Sequence, residues 1–139
     1  MIPDAIFKKL QHSFAGFQPY LNGQAIEPGY KPDFVLKKND EYIILESENS
    51  SSRKTYVGGM IKAAHFLTNE KKGKLVFIIV PKKNTKSETI AKHLQKYLVW
   101  LSDKTNLKDV YVIDANTYLT DRALLALDCD DFYAKSFKV

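Results

Sequence analysis

The chain has 139 residues, 45% hydrophobic and 27% charged, with a net charge of +5. That is the size and balance of one globular domain, here taken as residues 1–139, able to bury about two thirds of its unfolded surface without staples. A single cysteine, Cys129, excludes an internal disulfide; with only three scattered histidines, His12, His65 and His93, it also argues against a Cys/His zinc site. No apolar run approaches the ~20 residues of a membrane span, and MIPDAIFKKL lacks the basic-then-apolar order of a signal peptide. The expected setting is reducing and cytoplasmic, with no membrane partner.

Residues 3–17 carry Ile6, Leu10, Phe14 and Phe17 at spacings of three and four, which predicts a helix opened by Pro3 and Asp4. Residues 18–32, with three prolines and two glycines, predict a loop. DFVLK and EYIILES then read as two strands, with Asn39-Asp40 as the turn between them. Ser50 to Ser52 offer N-caps for a helix over 53–70, whose apolar stripe is Val57, Met60, Ile61, Ala64 and Leu67. Gly58-Gly59 inside that helix suits close packing on a sheet, or close approach to a phosphate backbone. KLVFIIVP, residues 74–81, reads as a strand buried on both faces. An amphipathic helix is predicted over 85–104, with Ile90, Leu94, Tyr97, Leu98 and Leu101 on one side and Thr85 with Glu88 as a capping box. A last strand begins at 109, and 120–127 suits a short helix. Helix-separated strands pair in parallel through right-handed crossovers, so the expected fold is α/β. Its mixed central sheet combines an antiparallel hairpin with parallel strands and is flanked by helices.

The chemistry sits at one end of the hairpin. Folding about Asn39-Asp40 pairs positions that sum to 79, so Asp33 falls opposite Glu46. Glu48, two residues on, shares that face, followed inward by Val35 and Ile44; Phe34, Leu36, Ile43 and Leu45 fill the other. Carboxylates that close either share a proton or need a cation. A hard divalent ion such as Mg²⁺ (or Mn²⁺) suits them, and can polarise a phosphodiester and acidify bound water. The bland alternative is a frayed strand end whose acids face water. Arg53, Lys54 and Lys62 follow directly. Further basic clusters at Lys37-Lys38 and at Lys82-Lys83 are compatible with a polyanion, here DNA, or with solvated loop ends.

Pro32-Asp33, then Glu46-Ser47-Glu48 after a short hairpin and before a helix, resembles the PD-(D/E)XK, or restriction-endonuclease-like, nuclease superfamily. The resemblance implies an αβββαβ core and a Mg²⁺-dependent endonuclease acting on DNA. By it, Asp33 and Glu46 are metal ligands. The family's usual lysine falls at Glu48, which could hold metal or take a proton from the attacking water. A replacement lysine could come from the following helix, as Lys54 or Lys62. Lys62 with Phe66 stands about where one branch of the family has a Gln-x-x-x-Tyr pair. The family often adds an acid from the first helix or from the loop before the first strand, and Glu27 is the candidate. Asp33, Glu46, Glu48, Lys54 and Lys62 are therefore the expected catalytic set, and Asp33, Glu46, Glu48 and Glu27 the metal set. Arg53, Lys54, Lys62, Lys37, Lys82 and Lys83 are the expected nucleic-acid contacts. A homodimer with one site per strand fits a chain of this size. The rival reading is a relative that keeps the fold but has lost catalysis, acting as a nucleic-acid-binding or assembly subunit.

Overall fold

The computed structural model describes residues 2–139, and of Asn22 the backbone alone. Its elements run α1 (Asp4–Phe7), β1 (Gln18–Pro19), β2 (Phe34–Lys38), β3 (Glu41–Glu48), α2 (Arg53–Phe66) and β4 (Lys72–Ile79). They continue as α3 (Ser87–Ser102), β5 (Leu107–Asp114), α4 (Ala115–Tyr118), α5 (Asp130–Lys135) and β6 (Phe137–Lys138), with a 3₁₀ turn over Leu21–Gly23. The six strands form one sheet in chain order. β1, β2 and β3 are an antiparallel meander, β3, β4 and β5 are parallel, and β6 closes the far edge antiparallel to β5. The fold is thus mixed α/β, as the strand and helix order predicted.

The hairpin follows the expected register. Phe34 pairs with Leu45, Val35 with Ile44, Leu36 with Ile43 and Lys37 with Tyr42, every pair summing to 79. Asn39 takes a left-handed φ of 53°, which a short polar side chain tolerates and a β-branched one does not. Period-two alternation then sends the strand residues to two cores. Val35, Tyr42, Ile44, Leu75, Phe77, Val110 and Val112 lie under α2 and α3. Phe34, Leu36, Ile43, Leu45, Val76, Ile78 and Ile113 lie under Phe7, Tyr118, Leu127 and Phe132 from the short helices and loops of the opposite face. β4 is apolar on both sides because it is covered on both.

Several local expectations change. The helix over 3–17 is only Asp4–Phe7; Phe7 is buried, whereas Ile6 is 51% exposed. Beyond it the Phe7 carbonyl accepts from the Leu10 amide and from His12 Nε2, which replaces the next helical bond with a side-chain bond. Leu10, Phe14 and Phe17 still pack on the sheet, so their spacing reflects the surface beneath them rather than a helix. In the predicted loop, Gln18–Pro19 pairs with Lys37 and Leu36; proline is allowed there because the strand is an edge. α2 stops at Phe66, and Tyr56 and Ala63 join Met60, Ala64 and Leu67 in the core while Ile61 stays 49% exposed. Tyr56 can be buried because its hydroxyl donates to the Ser50 carbonyl at 2.8 Å. Ser52 caps α2 without a side-chain bond; Ser50 Oγ instead accepts the Ser52 amide.

The Thr85–Glu88 capping box does not form: Lys86 is the N-cap, Thr85 Oγ1 receives Arg53, and Glu88 pairs with Lys92. Residues 120–127 are not a helix. Thr120 Oγ1 accepts the amides of Arg122 and Ala123, a local turn that competes with helix formation. Among the described residues no helix is long and apolar enough to cross a membrane.

Of the paired glycines, one packs and one does not. A Cβ on Gly59 would lie 3.1 Å from the Phe77 ring, whereas a Cβ on Gly58 would meet nothing. Gly58→Ala should therefore stabilise by about 1 kcal/mol through helix propensity alone. Gly59→Ala should fall short of that gain, because the Phe77 ring must move. Urea denaturation of the two variants side by side checks both.

His12 is buried, with Nε2–H donating to the Phe7 carbonyl at 2.8 Å and Nδ1 accepting from the Tyr118 hydroxyl at 2.6 Å. Burial lowers its pKa from 6.5 to about 4. The folded value lies below the unfolded one, so this contribution to stability is complete above pH 6.5 and is lost as pH falls through 4. The loss is roughly 3 kcal/mol. A His12→Gln variant, whatever its stability at pH 7, should lack this acid-side slope in urea melts at pH 7 and pH 4.

Candidate functional site

The acid end of the hairpin lies where backbone pairing stops. Beyond the Phe34–Leu45 pair, side chains take over the ladder. The Asp33 amide donates to Glu46 Oε1 at 2.9 Å, and the Ser47 amide donates to Asp33 Oδ2 at 2.8 Å. Each carboxylate thus binds the other strand's backbone by one oxygen. Oδ1 of Asp33 and Oε2 of Glu46 receive no hydrogen bond or ion pair among the described residues.

Electrostatics follow from that placement. Burial, with the charges of Asp33 and Glu48 added, raises Glu46 from 4.5 to about 7, against the Asp33 amide and Lys62. Burial also raises Asp33, helped by the charges of Asp4 and Glu48 and opposed by the Ser47 amide and Lys8. The pair is an under-compensated acid site in a protein of net charge +5.

The other expected residues divide. Glu48 neighbours the pair, but its Oε1 accepts the amides of Asn49 and Ser50 at 3.1 and 3.2 Å. Among the described residues no group of three or more His, Cys, Asp and Glu is arranged to hold a metal ion. The trio expected at one point is therefore a pair with a flanking acid. Glu27 is turned to His65, with Oε2 at 2.8 Å from Nδ1. Lys62 is the cation acting on Glu46, and its Nζ donates to the Gly29 carbonyl at 3.3 Å.

Lys54 is exposed in the first turn of α2. Arg53 is a structural tie: its guanidinium donates to the Asn84 carbonyl at 2.8 Å and to Thr85 Oγ1 at 3.3 Å, joining α2 to the loop after β4. That loop presents Lys82 and Lys83, both exposed, beyond the C-terminal end of β4, where the Val80 amide donates to the Glu48 carbonyl. Lys37 stands at the other end of the hairpin over the rings of Tyr20 and Tyr42, about 13 Å along the strand from Asp33. Asp128 accepts the Ala15 amide and Asp130 and Asp131 begin α5, so the acidic tail is part of the scaffold.

Three residues escaped the sequence reading. Asp4 and Lys8 act on Asp33 from the N-terminal segment, whose contact with the hairpin no local pattern announces. Tyr30, read as lining a groove or packing, is buried beside the acids. Its place before Pro32-Asp33 was the only available signal.

Two buried carboxylates with spare oxygens fit Mg²⁺ or Mn²⁺, since Mg²⁺ keeps several waters and binds through one or two carboxylates plus substrate phosphate. They do not fit a closed cage of protein ligands. Comparison with family models, with curated proteins and with solved structures finds no match to this chain.

The raised Glu46 pKa carries a stability cost with a definite sign. Its folded value lies above the unfolded one, so its contribution is present below pH 4.5 and is lost as pH rises through 7. Glu46→Gln keeps an acceptor for the Asp33 amide but cannot ionise. Relative to the parent it should gain roughly 2–3 kcal/mol between pH 4.5 and pH 8 in chemical denaturation without divalent metal.

Proposed function

We propose that this protein is a metal-dependent DNA endonuclease of restriction-endonuclease-like architecture, hydrolysing phosphodiester bonds at the Asp33–Glu46 pair. The observation that carries the reading is the facing pair itself: two half-buried acids, each anchored by one oxygen to the other strand and each with one oxygen to spare. The order α1, β1, β2, β3, α2, β4, with β3 and β4 parallel, supports it, being the order that the PD-(D/E)XK resemblance calls for.

Mg²⁺ or Mn²⁺, when bound, supplies charge to a phosphodiester oxygen and acidifies water. Asp33 Oδ1 and Glu46 Oε2 are the oxygens that would hold it. Glu48, flanking the pair, has Oε2 available to take the proton of the attacking water. Lys62 offsets the negative charge of Glu46 and is the nearest replacement for the family's lysine. Lys54, Lys82 and Lys83, exposed around the same end of the sheet, would contact neighbouring phosphates and give binding a steep salt dependence. A homodimer would set one such pair against each strand of a duplex.

One observation favours the rival reading, a nuclease-fold protein that binds nucleic acid without cutting it. Glu48 stands in the lysine position and holds the Asn49 and Ser50 amides, so it brings negative rather than positive charge to a phosphate.

Cleavage assays separate the two. On supercoiled plasmid and on branched substrates, the parent should nick with Mg²⁺ or Mn²⁺ and not with EDTA, and Asp33→Ala should lose about 100-fold or more of that activity. A metal-replete parent that retards DNA in a gel yet never nicks any substrate would establish the binding-only protein.

A further inference from the structure

The segment before β2 roofs the acid pair. Glu27-Pro28-Gly29-Tyr30 is a tight turn: the Tyr30 amide donates to the Glu27 carbonyl at 3.0 Å and Gly29 takes a φ of 81°. Proline at the second position and a left-handed glycine at the third are what a type II turn requires. The turn is fastened to α2 at two points, Glu27 to His65 and the Gly29 carbonyl to Lys62. It delivers the Tyr30 side chain inward, where the residue is 4% exposed and its ring joins the core beneath α2.

The hydroxyl is the anomaly. It is buried and has no hydrogen-bond partner among the described residues. A buried hydroxyl without a partner costs about 1–3 kcal/mol, so its persistence needs an explanation. The charges that act on it are those of Glu46, Glu27 and Asp33, after burial as the largest influence, and together they hold it protonated far above the usual tyrosine range. Glu27 is not among the groups acting on Asp33 or Glu46. The Tyr30 hydroxyl is thus the one group placed among all three acids.

A hydrated divalent cation fits that position. Waters around Mg²⁺ or Mn²⁺ donate their hydrogens outward and need acceptors. A tyrosine oxygen offers lone pairs without adding a further negative charge. A phosphodiester is too large to reach an oxygen so enclosed, whereas a water on the cation is not.

Resting on the metal-dependent reading above, we propose that Tyr30 is a positioning residue of the cation site, its buried hydroxyl accepting a hydrogen bond from a water of the divalent ion held by Asp33 and Glu46. The turn over 27–30 then has a function beyond packing: it carries the outer wall of the site.

The test is Mn²⁺ binding by the full chain, read by calorimetry and by the Mn²⁺ electron paramagnetic resonance line shape, for the parent, Tyr30→Phe and Asp33→Ala. Without metal, Tyr30→Phe should melt at or above the parent temperature, because it removes a group with no protein partner. With Mn²⁺ it should bind about 10-fold more weakly than the parent, with an altered line shape, as for other outer hydrogen-bond partners of metal sites. Asp33→Ala should not bind. If Tyr30→Phe binds Mn²⁺ as tightly as a binding-competent parent, with the same line shape, the hydroxyl meets only ordinary water and the proposal falls while the metal site stands. Lower stability of Tyr30→Phe without metal reveals a protein partner for the hydroxyl and also overturns it. A parent that binds no Mn²⁺ removes both the proposal and the reading beneath it.

Discussion

The pairing of Asp33 and Glu46 across the open end of the hairpin is the constraint on which the rest of the molecule depends. Strand ends ordinarily fray because their outermost amides have no partner. Here each acid accepts an amide of the opposite strand, so the ladder continues through side chains beyond the Phe34–Leu45 pair. Register at the acid end is thereby tied to register at the Asn39 turn, and a one-residue slip would send Val35 and Ile44 to the wrong core. The same bonds hold two carboxylates where neither is fully solvated, which is why both are raised. Structure and reactivity share a cause: amides that need acceptors draw the acids together.

The parallel half of the sheet frames that end. β3, β4 and β5 stop side by side at Glu48, Ile79 and Asp114, so the loops after β3 and β4 emerge on one edge. Arg53 ties those loops together through Asn84 and Thr85. The Ser87 hydroxyl donates to Asp114, and this bond secures the start of α3 against the end of β5. These ties leave Lys54, Lys82 and Lys83 in water beside an acidic pocket. Opposite charges are thus segregated over a short distance. Such an arrangement suits a ligand that is itself a chain of negative charges bridged by cations.

Folding stability and the acid site pull in different directions. His12 is held neutral and loses its contribution in acid, while Glu46 is held toward its protonated form and loses its contribution in base. Between about pH 4.5 and 7 the two slopes oppose each other, so the balance hides how far each group is perturbed. The His12–Tyr118 pair is fully bonded and belongs to the scaffold. The Glu46 site and Tyr30 are not fully bonded, and buried groups short of partners are where proteins concentrate function.

How much was legible in the sequence depended on how local the physics was. The hairpin, its register and the division of Val35 and Ile44 from Phe34 and Leu36 were readable, because period-two alternation and an Asn-Asp turn act over a few residues. The buried β4 and the Ile90–Leu94–Leu98–Leu101 stripe were readable for the same reason. The opening helix was over-read, since Leu10, Phe14 and Phe17 answer to the sheet beneath them. Thr85 was misread as a cap because its hydroxyl is claimed by Arg53, 32 residues earlier. By itself, then, the sequence determined that Asp33, Glu46 and Glu48 share one face at one strand end, because side-chain direction in a strand is set by parity alone. Tertiary structure alone decided that Glu48 binds its own loop, that Glu27 belongs to His65 and that the Tyr30 hydroxyl lies buried among the acids. Those outcomes depend on which distant segment arrives with a free donor or acceptor, and no spacing along the chain encodes that.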